Sequence, residues 1–221
     1  SDWQNLLNSA QDSLQSTTIA PAAGNHDAAT NGFINHFALP SPNGQGTSAG
    51  DYYSFTYNKA HFVVLNTNED ASQNLSGDQL AWLRSDVTSA RKNGARWVIV
   101  NMHKGPFTTG NHADDADIIA MRTALLPVMA EVGIDLVFEG HDHVISRSKP
   151  LTYDASAVAS ATAVKGKTFT ELVNGKRVEY AVKPDGTIFF LPNTGGAKHY
   201  TQKSSSTALD LESYLNLFDR T

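Results

Sequence analysis

Three histidine-bearing segments contain residue types that bind metal ions. They are the pair Asn25 and His26, the single His103, and the pair His141 and His143. Imidazole nitrogens with an amide oxygen beside them are donors that suit zinc, iron or manganese. Three such segments in one chain of 221 residues favour a metal site over three unrelated loop histidines.

Each segment also has an ordinary interpretation. Residues 24–27 (Gly-Asn-His-Asp) are equally typical of a turn, because Gly and Asn both tolerate a positive φ angle. The pair His141 and His143 is the stronger signal, since alternate residues of an extended segment point in opposite directions and can reach two different metal ions. We interpret His36, His61 and His199 as solvated or hydrogen-bonded side chains.

The elements that must position these residues alternate between helix and strand. Buried strands are predicted at 17–22, 96–100 and 134–138, and each of the three segments lies just past the carboxyl end of one of them. This is the edge at which α/β sheets hold ligands. The pattern therefore predicts an α/β fold with the candidate site along one sheet edge.

The remaining elements are predicted from capping and turn signals. Ser76 and Gln79 form a capping box that begins a helix ending at Gly94. A second long helix covers 115–132, and Pro127 should kink or divide it. Further helices are predicted at 3–14 and 209–218, hairpins at 51–65 and around 173–176, and a strand at 186–191. No repeat or long linker divides the chain, so we expect one domain over residues 1–221.

Composition excludes several classes of protein. There are no cysteines, which rules out disulfides, thiolate metal sites and cysteine nucleophiles. The formal net charge is −5 with no basic block, so we expect no nucleic-acid partner. No apolar run is long enough to span a membrane, and the first residues lack the order of a signal peptide, although a removed export signal stays open.

Three motifs resemble a known family. Residues 24–27 (Gly-Asn-His-Asp), 100–103 (Val-Asn-Met-His) and 140–143 (Gly-His-Asp-His) are similar, in order, to the third, fourth and fifth motif blocks of the calcineurin-like metallophosphoesterases, in their purple acid phosphatase-like branch. The resemblance implies the α-β-β-α sandwich of mixed sheets of that family. It also implies a phosphoester hydrolase, acid phosphatase-like or phosphodiesterase, which uses a binuclear metal centre and a metal-bound hydroxide.

The same resemblance implies roles for individual residues. Asn25, His103 and His141 would coordinate one metal ion, and His143 would coordinate its neighbour. The two ions would be iron, zinc or manganese.

Two further histidines would act on the substrate. His26 would face the phosphate of a small-molecule phosphoester and protonate the leaving group. His112 is similar to a second phosphate-contacting histidine of the purple branch, and a solvated loop residue is an equal alternative. Monoester, diester and nucleotide substrates all stay open, as does the oligomeric state.

Two earlier motif blocks of the family, which supply its carboxylate ligands, do not occur in the sequence. We therefore expect a fragment, truncated at the N-terminus and lacking N-terminal strands, of a secreted or cell-surface bacterial phosphoesterase that is weakly active or inactive by itself. The alternative is a non-catalytic module that keeps part of a metal or phosphate site. A histidine-rich metal buffer would explain the histidine count but not the order of the motifs.

Overall fold

A six-stranded mixed β-sheet is the framework of the computed structural model, which describes residues 2–27, 32–39, 51–192 and 196–219. The strands in these ranges are β1 (Tyr53–Tyr57), β2 (Ala60–Val64), β3 (Trp97–Asn101), β4 (Leu136–Phe138), β5 (Ile145–Arg147), β6 (Leu151–Tyr153), β7 (Ala161–Ala163), β8 (Lys167–Val173), β9 (Lys176–Val182) and β10 (Ile188–Pro192). The helices are α1 (Asp2–Ser9), α2 (Gln11–Leu14), α3 (Gly32–His36), α4 (Gly77–Lys92), α5 (Ala116–Val132) and α6 (Leu211–Leu215).

The order of strands in the main sheet is β1-β2-β3-β4-β10-β5. The four central strands β2, β3, β4 and β10 run parallel, and an antiparallel strand lies at each edge. Strands β6 and β7 form one separate antiparallel pair, and β8 and β9 form another. The parallel centre matters for function because it collects the loops after β3 and β4 at one edge of the sheet.

One face of the sheet forms the hydrophobic core with α4 and α5. Alternate strand residues such as Val98, Val100 and Val137 are buried there against Leu83 and Leu125 of the two helices. The alternation follows from the two-residue period of a strand, which sends successive side chains to opposite faces. The two helices connect consecutive parallel strands, as the sequence pattern predicts.

Local signals explain where the two core helices begin and end. The Ser76 hydroxyl accepts a hydrogen bond from the Gln79 backbone N–H (3.1 Å) at the start of α4. Helix α5 ends at Gly133, whose φ of +71° is the left-handed conformation of a helix C-cap. This helix continues through Pro127 undivided, because buried residues on both sides of the proline pack into the core and hold it.

Two predictions about the first residues are wrong. The helix expected over 3–14 is split into α1 and α2 at Ala10, and no strand forms over 17–22. Pro21 lacks the N–H that a strand ladder needs, and residues 17–20 are exposed and pair with no strand of the described ranges. The segment that carries Asn25 therefore reaches the sheet edge as irregular chain.

No helix within the described ranges is both long enough and apolar enough to span a bilayer.

Candidate functional site

The loops after β3 and β4 bring two predicted site residues side by side. His103 lies two residues past β3, and His141 lies three residues past β4. The backbone N–H of Gly140 donates to the His103 carbonyl oxygen (2.9 Å), which ties the two loops together. The centroids of the two imidazole rings are 5.1 Å apart.

The His103 ring is wedged between two glycines. A Cβ atom at Gly24 would lie 3.2 Å from His103 Cε1, and one at Gly140 would lie 3.3 Å from His103 Nδ1. His103 Nε2 donates a hydrogen bond to Asn25 Oδ1 (2.8 Å). A side chain at either glycine would crowd the ring, so the Gly-Asn-His-Asp and Gly-His-Asp-His segments depend on each other through His103.

Residues 24–27 form a turn that presents Asn25. The Asp27 carboxylate accepts a hydrogen bond from the Gly24 N–H (2.9 Å), and the Asp27 N–H donates to the Gly24 carbonyl (3.0 Å). The Asn68 amide holds the preceding carbonyl of Ala23 (3.2 Å). The turn interpretation and the ligand interpretation of this segment are therefore compatible, because the turn aims Asn25 at His103.

Both central imidazoles are neutral at neutral pH. Burial, together with the smaller effects of the charges of Lys104, His26 and His143, lowers the pKa of His103 to about 4. Burial likewise lowers the pKa of His141 to about 4, with His103, His112 and Lys104 adding to the effect and Asp142 opposing it. A neutral imidazole keeps a lone pair for a metal ion, so the surroundings favour the ligand form of both rings.

His112 joins the cluster from the loop after β3. Its ring centroid is 4.3 Å from that of His141, although the two residues are far apart in sequence. Its Nδ1 is 2.6 Å from an oxygen of the Asp115 carboxylate, and its backbone N–H donates to the buried Asp142 carboxylate (3.3 Å). A Cβ at Gly110 would lie 2.5 Å from Asp142 Cγ, so this loop packs directly on Asp142.

Glu139 and Tyr214, which no sequence motif indicated, hold the loop after β3 in place. Glu139 is fully buried, and its Oε1 accepts from the Phe107 N–H (3.2 Å); burial raises its pKa well above the ordinary value, against the lowering effects of that hydrogen bond and of Arg122. The Tyr214 hydroxyl donates to the Thr108 carbonyl (2.9 Å) and accepts from the Thr108 N–H (3.2 Å). Glu139 follows β4 and Tyr214 lies in α6, and no local sequence pattern at either position indicates a contact with this loop.

His143 faces a different part of the molecule. Its ring stacks on Tyr200 with centroids 4.7 Å apart, and its Nδ1 lies 3.2 Å from the Lys198 carbonyl oxygen. The Tyr200 N–H donates in turn to the His143 carbonyl (2.9 Å). His26 is exposed, and it lies near enough to His103 to affect its pKa. The structure therefore brings Asn25, His103, His141 and His112 together, with His26 and His143 at the margins.

A cavity of about 740 Å³ opens beside His143. The C-terminal segment closes it through Tyr200 and Glu212, and β5 contributes Arg147. This volume falls within the ~300–1,000 Å³ range of small-molecule sites. His143 lines this cavity, whereas Asn25, His103 and His141 do not.

The donors present fit one borderline metal ion. Two neutral imidazoles and an amide oxygen are N and O ligands of the kind that zinc, iron and manganese accept. Within the ranges that the structure describes, however, no three His, Cys, Asp or Glu side chains are arranged to hold a metal ion. The cluster therefore has neutral ligands but lacks the carboxylates that would balance the charge of a metal pair.

Comparisons with known proteins place this geometry in context. The family model described as calcineurin-like phosphoesterase matches residues 1–145. An uncharacterized protein of Mycobacterium tuberculosis is 27% identical over 216 residues, covering 90% of this chain and 39% of the relative. Purple acid phosphatase 18 of Arabidopsis thaliana is 30% identical over 104 residues, covering 47% of this chain and 23% of the relative.

A solved structure supports the fold. The purple acid phosphatase from yellow lupin (Lupinus luteus) seeds superposes with a TM-score of 0.54 at 17% identity, covering 78% of this chain and 27% of that one. With the mixed sheet described above, this likeness confirms the predicted fold class. The chain spans well under half the length of each of these three proteins.

Proposed function

The chain belongs to the calcineurin-like phosphoesterase family, whose members are metal-dependent phosphoesterases, and on that premise we propose that residues 1–221 form one catalytic domain that hydrolyses a small-molecule phosphoester. One observation carries the proposal: Asn25, His103 and His141 converge at the ends of parallel strands with both imidazoles neutral. Histidines whose pKa values are shifted this far, clustered at the ends of parallel strands, are typical of functional sites.

The proposed cofactors are two metal ions, either iron, zinc or manganese. Asn25, His103 and His141 would hold one ion, and His143 would help hold the other. When bound, such ions polarise phosphoryl oxygens and make a coordinated water more acidic. Because the pKa of His103 and of His141 is about 4, neither ring needs to lose a proton before binding at neutral pH.

Two other histidines would act on the substrate directly. His26 is exposed beside His103, where its imidazole can donate a proton to the leaving oxygen. His112 lies against His141, and its backbone is held by Asp142, so its ring can contact a phosphate oxygen. The cavity beside His143 would accept the organic part of the ester. Monoester, diester and nucleotide substrates are all compatible with it.

A second candidate function rests on a separate observation. No group of three or more acidic, histidine or cysteine side chains in the described ranges is arranged around a metal position. A site built from neutral ligands alone leaves the charge of two metal ions uncompensated. The second candidate is therefore a non-catalytic module that binds a single metal ion or a phosphate group.

Hydrolysis of p-nitrophenyl phosphate by this chain separates the two candidates. The assay would supply zinc, manganese and iron in turn, and would compare wild type with His141→Ala and with His36→Ala, which changes an exposed histidine of α3 outside the cluster. Catalysis predicts turnover that EDTA and His141→Ala abolish and that His36→Ala keeps. The absence of turnover, with zinc or phosphate binding that calorimetry detects and His103→Ala removes, would overturn catalysis by this chain in favour of the binding module.

We also propose an extracellular or cell-surface location in a bacterium. The support is compositional: the chain has no cysteine and is rich in Ser, Thr and Asn. Fractionation of the source cells with an antibody to this chain would test it, and a signal confined to the cytosol would contradict it.

A further inference from the structure

The hairpin of β8 and β9 stands apart from the six-stranded sheet. In the described part of the chain its strands pair only with each other, through a turn at Asn174 and Gly175 whose φ angles are +50° and +77°. Nearly every residue of both strands is exposed. A lone two-stranded hairpin is marginally stable in water, and a third or fourth strand is the usual source of stability.

One face of this hairpin carries two aromatic residues and three valines. Phe169 lies opposite Tyr180, and their rings stack with centroids 5.0 Å apart. Val173, Val178 and Val182 share that face by the two-residue alternation of the strands. Phe169 and Val182 are each 48% exposed. Clustered apolar side chains that are this exposed are typical of an interaction surface.

Two charges on β8 flank the apolar centre and have no partner of opposite charge. Lys167 and Glu171 lie on the same face as Phe169, two residues before it and two residues after it. Their cross-strand partners are the valines Val182 and Val178. Across the ranges 2–27, 32–39, 51–192 and 196–219, neither charge takes part in a salt bridge.

We propose that the β8 edge is a self-association surface that binds a second copy of this chain. Antiparallel pairing of two β8 strands about a two-fold axis at Phe169 places Lys167 of each copy opposite Glu171 of the other. Lys167 of each copy then pairs with Glu171 of the other copy, and the two Phe169 rings meet at the axis. The product is a four-stranded antiparallel sheet whose aromatic residues, valines and two Lys167–Glu171 pairs share one face.

The other edge of the hairpin is a poorer choice. A two-fold axis at Val178 would place Arg177 opposite Glu179 on the polar face, but it would set Lys176 against Tyr180 on the apolar face. Pairing through β8 instead puts aromatic residues against each other, which is the favoured cross-strand combination. The two edges predict different variants to be disruptive.

Sedimentation velocity of the purified chain across a dilution series tests the register. Wild type should form a reversible dimer of twice the 23.8 kDa chain mass. Lys167→Glu and Glu171→Lys should each weaken dimerisation by about tenfold or more, because two opposite-charge pairs become two like-charge pairs. Glu179→Lys makes the same charge reversal as Glu171→Lys, but on β9, and it should leave the dimer intact.

Complementation gives the sharpest result. An equimolar mixture of the Lys167→Glu and Glu171→Lys chains should form a heterodimer, since each Glu of one chain then faces a Lys of the other. The double variant Lys167→Glu/Glu171→Lys should dimerise like wild type. A wild-type chain that is monomeric throughout, a dimer lost in Glu179→Lys, or single variants that the mixture does not rescue would overturn the proposal.

Discussion

Acid should destabilise the metal-free chain through His103. The pKa of this imidazole is about 4 in the folded chain and 6.5 for an ordinary histidine, so between these values the unfolded chain binds a proton that the folded chain does not. The free energy of unfolding therefore falls as the pH falls through this window, and levels off below it. His141 acts in the same direction, with a smaller contribution because water screens its half-buried ring.

The magnitude follows from the window. Between the two pKa values each pH unit removes at most about 1.4 kcal/mol through His103, so this residue should cost about 1.5–2 kcal/mol between pH 6.5 and pH 5. Urea unfolding of the EDTA-treated chain at a series of pH values measures this loss. A His103→Asn variant should lose about 1.5–2 kcal/mol less than wild type over the same interval.

The difference between the two chains is the informative quantity, because the contributions of groups that do not interact with His103 cancel in it. His199→Asn removes an exposed histidine outside the cluster and should keep the wild-type pH dependence. Identical slopes for wild type and His103→Asn would refute the reasoning, since they would mean that His103 is hydrated and protonated in the folded chain as it is in the unfolded one.

Two further predictions concern the loop after β3, and a variant in helix α4 serves as their control. Tyr214→Phe removes both hydrogen bonds to Thr108 at constant volume and should lower the free energy of unfolding by about 1–3 kcal/mol in urea titrations; an unchanged midpoint would contradict the clamp. Gly105→Ala should cost about 1–3 kcal/mol, because a Cβ there would lie 2.2 Å from Glu139 Cδ. Gly77→Ala, where a Cβ has nothing within 4 Å, should instead stabilise helix α4 by about 0.5–1 kcal/mol, and a loss there as large as at Gly105 would show that the packing argument is wrong.

The strongly periodic elements could be predicted from the sequence. Helix α4 begins at its Ser76 N-cap, β3 forms from its apolar run, and the Asn174-Gly175 turn forms the hairpin that its residue types indicate. These signals are local, so they survive whatever the rest of the chain does. Segment 17–22 has the apolar residues of a strand, but it pairs with no strand in the described ranges. Without such a partner its backbone groups cannot form a ladder.

The sequence could predict that Asn25, His103 and His141 lie near one another, but not which residues hold the surrounding loops. Asn25, His103 and His141 follow one another in motifs, and the parallel sheet edge explains why they meet. The carboxylate of Asp142 and the hydroxyl of Tyr214 act on a loop through contacts between residues distant in sequence. No local pattern encodes such contacts, because they depend on how the loops after β3 and β4 pack.

Metal content per chain is the most direct test of the central claim, that the strand-end cluster holds metal. The purified chain would be supplied with zinc, manganese and iron, dialysed, and measured by plasma mass spectrometry beside His141→Ala and His199→Ala. The account predicts two ions per wild-type chain, loss of the ion that Asn25, His103 and His141 hold in His141→Ala, and retention in His199→Ala. A wild-type chain without metal, or equal metal in wild type and His141→Ala, would contradict it.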